Sequence, residues 1–193
     1  DLALRRWGWY PKGGGEVEAM VAPSRTLSGF RSEARESRIS VTGLSTVSRL
    51  PRSIAERQAR RAGERLSAAG VRAEILVQED ATALGPGTLL FLALPGRAGF
   101  SVLGRRGLPA ERVADEAVDQ LLAYLASGAE VDDHLADQLA PFLALADAGS
   151  VYTCPSLSPH LRTVAWVVKQ FLPVRIDLEE GPPARVRIIP PRE

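Results

Sequence analysis

Ser158-Pro159-His160-Leu161-Arg162-Thr163-Val164-Ala165-Trp166-Val167-Val168-Lys169-Gln170-Phe171-Leu172-Pro173-Val174-Arg175-Ile176-Asp177-Leu178 changes its hydrophobic period once, and that change sets the fold class. Ser158 is a good N-cap, and Pro159 suits the first helical position, where its missing N–H leaves nothing unpaired. Leu161, Val164, Ala165, Val168 and Leu172 recur at helical spacing, which predicts a helix over 159–172 with that stripe against a core. Pro173 interrupts the pattern, and 174–178 reads as a strand. Working outward, 150–153 and 185–189 read as strands. Residues 133–146 read as a helix, with Asp132 or Asp133 as N-cap and Leu135, Leu139, Phe142, Leu143 and Ala146 as its buried stripe. Helices that alternate with short strands define an α/β fold.

Upstream of Gly128 the pattern repeats in another order. A strand over 39–47 leads into a helix opened by Pro51 and Ser53 and ended by Gly70. Ile54, Ala59, Ala62, Leu66 and Ala69 occupy one side of it, and Arg57, Arg60, Arg61 and Arg65 form a solvated face. Strands follow over 71–77, 88–94 and 99–103, then a helix from Pro109 to Gly128 with Val113, Ala117, Leu121, Tyr124 and Leu125 as its stripe. At the chain start, strands over 2–9 and 17–22 flank Tyr10-Pro11-Lys12-Gly13-Gly14-Gly15, a glycine-built corner. A polar, serine-rich linker over 24–37 separates the two regions, with a boundary near Arg38.

Composition narrows the function classes. With 193 residues, 45% hydrophobic and 24% charged, the chain suits an ordinary soluble globular protein with one domain or two small ones. A formal net charge of +1 supplies no global basic field to announce nucleic-acid binding. Only Lys12 and Lys169 are lysines among the 24 basic residues, an arginine bias that fits genome composition before function. The single Cys154 excludes an internal disulfide and a Cys-pair zinc site, and it fits a reducing compartment. No apolar run reaches spanning length and no signal peptide opens the chain, so a cytoplasmic protein without a membrane is expected.

His160 lies in the first turn of its helix, where free N–H groups and the helix dipole favour a nearby phosphate. It reads either as a nucleophile toward a phosphoryl group or as a histidine satisfied by hydrogen bonds. His134, Asp137 and Gln138 stand at i, i+3 and i+4, so one helix face presents a ring, a carboxylate and an amide. That set suits a nucleobase or ribose, and equally a solvated first turn. A Cys154, His160, Asp137 hydrolase triad can be drawn, against which stands a buried inert thiol. No His-x-x-x-His or similar ligand spacing occurs, and the triple glycine joins two strands where a phosphate-binding loop needs a following helix.

Three runs taken together say more. Gly8-Trp9-Tyr10-Pro11-Lys12-Gly13-Gly14-Gly15-Glu16-Val17, His134-Leu135-Ala136-Asp137-Gln138-Leu139, and His160-Leu161-Arg162-Thr163 leading to Phe171-Leu172-Pro173-Val174 resemble the RNA 3′-terminal phosphate cyclases in order and spacing. The resemblance implies repeated βαβαββ units of the cyclase and enolpyruvyl-transferase type, interrupted by a small inserted α/β domain. On that pattern 1–37 is the end of the second repeat with a linker, 38–128 the insert, and 129–193 the third repeat. It further implies that ATP, with a divalent metal (Mg or Mn), converts an RNA 3′-terminal phosphate into a 2′,3′-cyclic phosphate through a covalent histidine-AMP intermediate. His160 matches the adenylated histidine, and His134, Asp137 and Gln138 match the nucleotide-binding helix start. At 134 the family often has a tyrosine; an imidazole stacks on adenine over less area. The chain matches only the C-terminal part of a cyclase, so an N-terminal half carrying further Glu and Arg residues for metal, phosphates and RNA is expected as a partner. The competing class is a non-catalytic cyclase-like scaffold of ribosome biogenesis, or an inactive fragment; scaffolds of that kind lack the nucleophilic histidine.

Overall fold

Alternation and helical period translate directly into elements in the computed structural model, which describes residues 1–31 and 40–191. In chain order these are β1 (Leu2–Arg6), β2 (Glu16–Ala19), β3 (Ser40–Ser48), α1 (Ser53–Ala68), β4 (Arg72–Asp80), β5 (Gly87–Leu94) and β6 (Ala98–Leu103), followed by α2 (Ala110–Ser127), α3 (Asp133–Leu143), β7 (Ser150–Cys154), α4 (Pro159–Phe171), β8 (Arg175–Glu179) and β9 (Ala184–Ile189). The sheets are mixed or antiparallel, as an α/β fold with short connections allows. Among the described residues no helix is long and apolar enough to cross a membrane. The boundary near Arg38, the strand start at Ile39 and residues 32–37 of the linker lie outside the described residues.

The chain divides into two compact units, Asp1–Ala22 with Arg38–Leu122, and Pro23–Ser37 with Ala123–Glu193. In the first, the strand order is β4-β3-β5-β6, with β3 parallel to β4 and antiparallel to β5. A parallel pair needs a crossover, and α1 supplies it, packing on the sheet with Ala55, Gln58, Ala62 and Leu66 buried. Gln58 takes a place on the buried face that the apolar pattern assigns elsewhere. The arginine face is also less free than its sequence suggests, because Arg61 meets Asp115 at 2.8 Å and Arg65 meets Asp119 at 2.7 Å, tying α1 to α2.

In the same unit β1 and β2 pair as an antiparallel ribbon. Both strands are shorter than the predicted runs, because the chain leaves β1 after Arg6 to build the corner. Gly13 and Gly14 take φ of 64° and 75°, open to glycine and strained for other residues. The corner delivers Trp9 to a buried place directly over Gly87, so closely that any side chain at 87 would run into the indole. Trp7 stacks on Trp9 with ring centroids 5.4 Å apart.

The second unit has the strand order β7-β9-β8, all neighbours antiparallel. Tyr152, Cys154, Ile176, Val186 and Ile188 point to one face and join Ala136, Ala140, Leu161 and Ala165 in a single core. Part of the predicted linker is docked here: Val151 N–H donates to Phe30 O at 3.2 Å and Phe30 N–H to the Ser150 hydroxyl at 2.9 Å. Phe142, assigned to the buried stripe of α3, is 62% exposed. The small Ala136 and Ala140 hold that face instead, letting α3 approach the sheet closely enough for the Tyr152 hydroxyl to donate to Ala136 O at 2.6 Å.

Candidate nucleotide-binding and catalytic site

Two helix starts meet at the C-terminal end of β7. The N–H groups of Glu130 and Val131 both donate to Thr153 O at 3.1 Å, which pins the entry to α3 beside the end of that strand. Asp132 then caps α3, its carboxylate accepting from Leu135 N–H at 2.7 Å. Asp133, the other candidate cap, turns outward and accepts from Ser156 N–H at 3.0 Å. That bond fastens the α3 start to the loop leading into α4. Ser158 caps α4 by accepting from Leu161 N–H at 3.1 Å, with Pro159 at the first helical position, as its sequence requires. The two helices pack side by side.

Each sequence-predicted residue therefore has a defined place. His160 lies exposed in the first turn of α4, and His134 lies exposed in the first turn of α3. Asp137 and Gln138 follow His134 at helical spacing, Asp137 half-buried and Gln138 exposed. Among the described residues no side-chain hydrogen bond engages His134, Asp137, Gln138 or His160. The cap residues carry the structural load, and the histidines face solvent.

Neighbouring side chains sort differently. The Thr163 hydroxyl donates to Pro159 O at 2.8 Å, inside its own helix. Arg162 makes a short ion pair with Glu180, at the end of β8. Since β8 runs parallel to β7 through their shared partner β9, Glu180 lies at the same end of the sheet as the helix starts. Cys154 is buried, and its Sγ–H donates to Ser156 O at 3.2 Å. Burial first, and the Asp133 carboxylate second, push its thiol up to about 11, so it is protonated at neutral pH. Burial and the raised thiol pKa weigh against the hydrolase triad and favour the inert buried thiol. Burial likewise raises the Tyr152 hydroxyl, which acts as a hydrogen-bond donor within the core. Glu130 escapes the sequence reading, and Asp133, there a candidate cap, serves as a tie between the two helix starts. Glu130 accepts from Thr153 N–H at 2.8 Å, and its signal in the sequence is acidity just before a helix entry.

Among the described residues there is no group of three or more His, Cys, Asp or Glu side chains able to hold a metal ion.

The second α/β unit presents two capped helix starts side by side, each with an exposed histidine in its first turn. A family model described as RNA 3′-terminal phosphate cyclase matches residues 1–178, and the chain belongs to that family. It is 40% identical over 201 residues to an RNA 3′-terminal phosphate cyclase of Methanopyrus kandleri, which covers 98% of this chain and 57% of that protein. Over 184 residues it is 43% identical to one of Methanosarcina barkeri, covering 94% of this chain and 54% of that protein. A relative in Methylococcus capsulatus, also named RNA 3′-terminal phosphate cyclase, is 44% identical over 184 residues, covering 92% of this chain and 50% of its own length. The chain spans about half the length of the curated relatives it matches.

Proposed function

We propose that this chain supplies the nucleotide-binding and nucleophile-bearing part of an ATP-dependent RNA 3′-terminal phosphate cyclase, with His160 as the residue that accepts AMP. The observation that carries the reading is the exposed His160 in the first turn of a helix whose cap and proline fix it, beside a second helix start. A ring nitrogen of His160 attacks the α-phosphorus of ATP through its lone pair, a P–N bond forms, the P–O bond to pyrophosphate breaks, and the ring proton passes to solvent. The free N–H of His160 and the dipole of α4 offset charge on the phosphoryl oxygens. An oxygen of the RNA 3′-phosphate then displaces the imidazole to give an RNA-adenylate. The neighbouring 2′-hydroxyl attacks that phosphorus, expels AMP and closes the 2′,3′-cyclic phosphate, a step favoured because nucleophile and electrophile share one ribose. His134, Asp137 and Gln138 receive the adenosine, the ring by stacking and the carboxylate and amide by hydrogen bonds.

The same reading assigns 129–193 to a third βαβαββ repeat, 38–128 to an insert and 1–37 to the end of a second repeat. The order α3-β7-α4-β8-β9, with residues 27–31 alongside β7, supports the first assignment. It also places the protein in the cytoplasm and requires a complementary N-terminal half. Exposed Phe142, Trp166 and Phe171, at 62%, 62% and 80%, leave α3 and α4 with large apolar side chains that such a half would cover. His160 itself weighs against a non-catalytic scaffold.

Intact mass spectrometry after incubation with ATP and a divalent metal, with the complementary half of a relative added, tests the proposal. An acid-labile AMP adduct that disappears in His160→Ala is expected. An adduct that survives the substitution, or none with both halves present, overturns it.

A further inference from the structure

The sheet face turned away from α3 and α4 is left unused by the chemistry above. Alternation along β7 and β9 puts Val151 and Thr153 on it, with Arg185, Arg187 and Ile189 from β9. The bridge between Arg31 and Val151 adds a third arginine beside the edge of β7. With Glu130 these residues line an open concavity of about 470 Å³. Arg31, Val151 and Arg187 form one cross-strand row, and Arg185 stands two residues along β9, on the order of 7 Å from Arg187 by strand geometry. Three guanidinium groups thus share one hollow.

Local carboxylates neutralise them only in part, although Glu179 and Asp177 stand opposite Arg185 and Arg187 on β8. Arg175, elsewhere on this face, pairs with Asp177 at 2.9 Å, whereas Arg187 meets Glu179 only at 3.8 Å. Among the described residues Arg31 and Arg185 have no carboxylate within ion-pair distance. Glu130 directs its carboxylate to Thr153 N–H. Val151, between Arg31 and Arg187, and Ile189, beyond Arg187, add apolar surface, each about two-fifths exposed at 39% and 40%. A hollow with charges spaced along its wall and apolar surface beside them fits a chain of repeating phosphates better than one small anion.

We propose that this face holds the sugar-phosphate backbone of single-stranded RNA, with Arg31, Arg185 and Arg187 meeting phosphates away from the reacting 3′ end. The inference rests on the RNA-acting reading above and is separable from it, since adduct formation from ATP involves none of these arginines. The test is fluorescence anisotropy of a labelled single-stranded oligoribonucleotide with the full chain, without ATP, over a salt series. Replacing Arg31 and Arg185 together by alanine is expected to weaken binding about tenfold and to lower the slope of log K against log salt by about 1.4, at about 0.7 per phosphate contact in a single strand. The corresponding lysine pair keeps the slope, because the charges remain, but not the full affinity. His160→Ala binds as the parent does. Both arginines are exposed, and unchanged melting of the variants shows that the fold survives. No binding by the parent chain, undiminished binding by the alanine pair, a lysine pair as impaired as the alanine pair, or displacement by inorganic phosphate as readily as by RNA phosphate each overturns the proposal. An intact adduct in the alanine pair keeps the two readings distinct.

Discussion

Beneath α1, the Ser45 hydroxyl has Ala55 O and Gln58 Oε1 both at 2.9 Å, Gln58 Nε2 donates to the Thr88 hydroxyl at 3.1 Å, and that hydroxyl reaches Thr46 O at 2.8 Å. At the starts of α3 and α4, Asp132, Asp133 and Ser158 instead accept from backbone N–H groups and leave the neighbouring His134 and His160 in solvent. Both regions are rich in polar side chains, yet the first closes on itself and the second points its remaining groups outward. A buried polar set that bonds within itself, here with only its Thr46 hydroxyl unanswered, fixes how elements pack; one that answers only the backbone fixes a helix start and keeps its side chains available. The contrast separates structural polarity from chemical polarity more sharply than residue type does.

The largest stability effect should come from breaking the closed set. Gln58→Ala removes a buried amide, leaves a cavity and takes one of two partners from both Ser45 and Thr88, which should cost about 3 kcal/mol in chemical denaturation. If the contrast holds, AMP-adduct formation by the folded variant does not change. A matching loss of adduct would mean the two polar regions are coupled.

Asp80 extends the closed region to the end of β4, accepting from Ser48 Oγ at 2.9 Å, Thr82 Oγ1 at 2.6 Å and Ala83 N–H at 3.0 Å. Burial pushes its carboxyl up, but the hydrogen bonds from Thr82, Ser48 and Ala83 together outweigh burial and hold it below the usual range. A carboxyl depressed by folding stabilises above its unfolded pKa, and the contribution fades as pH falls through the folded value. Asp80→Asn should therefore cost about 2 kcal/mol near neutrality, and the gap to the parent should close only below about pH 4. Melts at stepped pH decide this; a gap independent of pH through the acid range would contradict it.

The open region was the more legible of the two. Ser158 and Pro159 announce α4 locally, because a cap and a proline act within one turn, and the first-turn place of His160 follows from them. Phe142 misleads because a large apolar side chain at helical spacing looks buried, whereas alanines 136 and 140 set the distance between α3 and the sheet. Gln58 misleads in the opposite sense: its burial depends on Ser45 and Thr88, which arrive from other strands. Nor does any local pattern announce Trp9 over Gly87, a contact that requires the whole first unit to be assembled. Asp132 and Asp133 are equivalent as sequence, and only the position of Ser156 divides their roles.

Ser158→Ala tests how far the open region depends on its caps. Loss of the bond to Leu161 N–H should cost about 1 kcal/mol, less than either change above. Fraying of the first turn displaces His160, so adduct formation should slow several-fold, and Ser158→Asp, which restores a cap, should recover much of it. A variant of normal adduct rate would show that Pro159 and core packing alone hold the turn.

The smallest effect should come from Arg162, whose ion pair with Glu180 joins two half-exposed or more exposed side chains. Solvent screening and the entropy of ordering two long side chains hold such pairs to about 0–1 kcal/mol, so Arg162→Ala and Glu180→Ala should each leave melting almost unchanged. Their effects on adduct formation should differ in sign. Glu180 occupies the guanidinium beside the first turn of α4, and removing it frees that charge for the phosphate of an incoming nucleotide, so Glu180→Ala should tighten ATP binding modestly, whereas Arg162→Ala should weaken it. Equal effects from both substitutions would make the pair a surface ornament of the fold, and would confine the open region to the helix starts and their histidines.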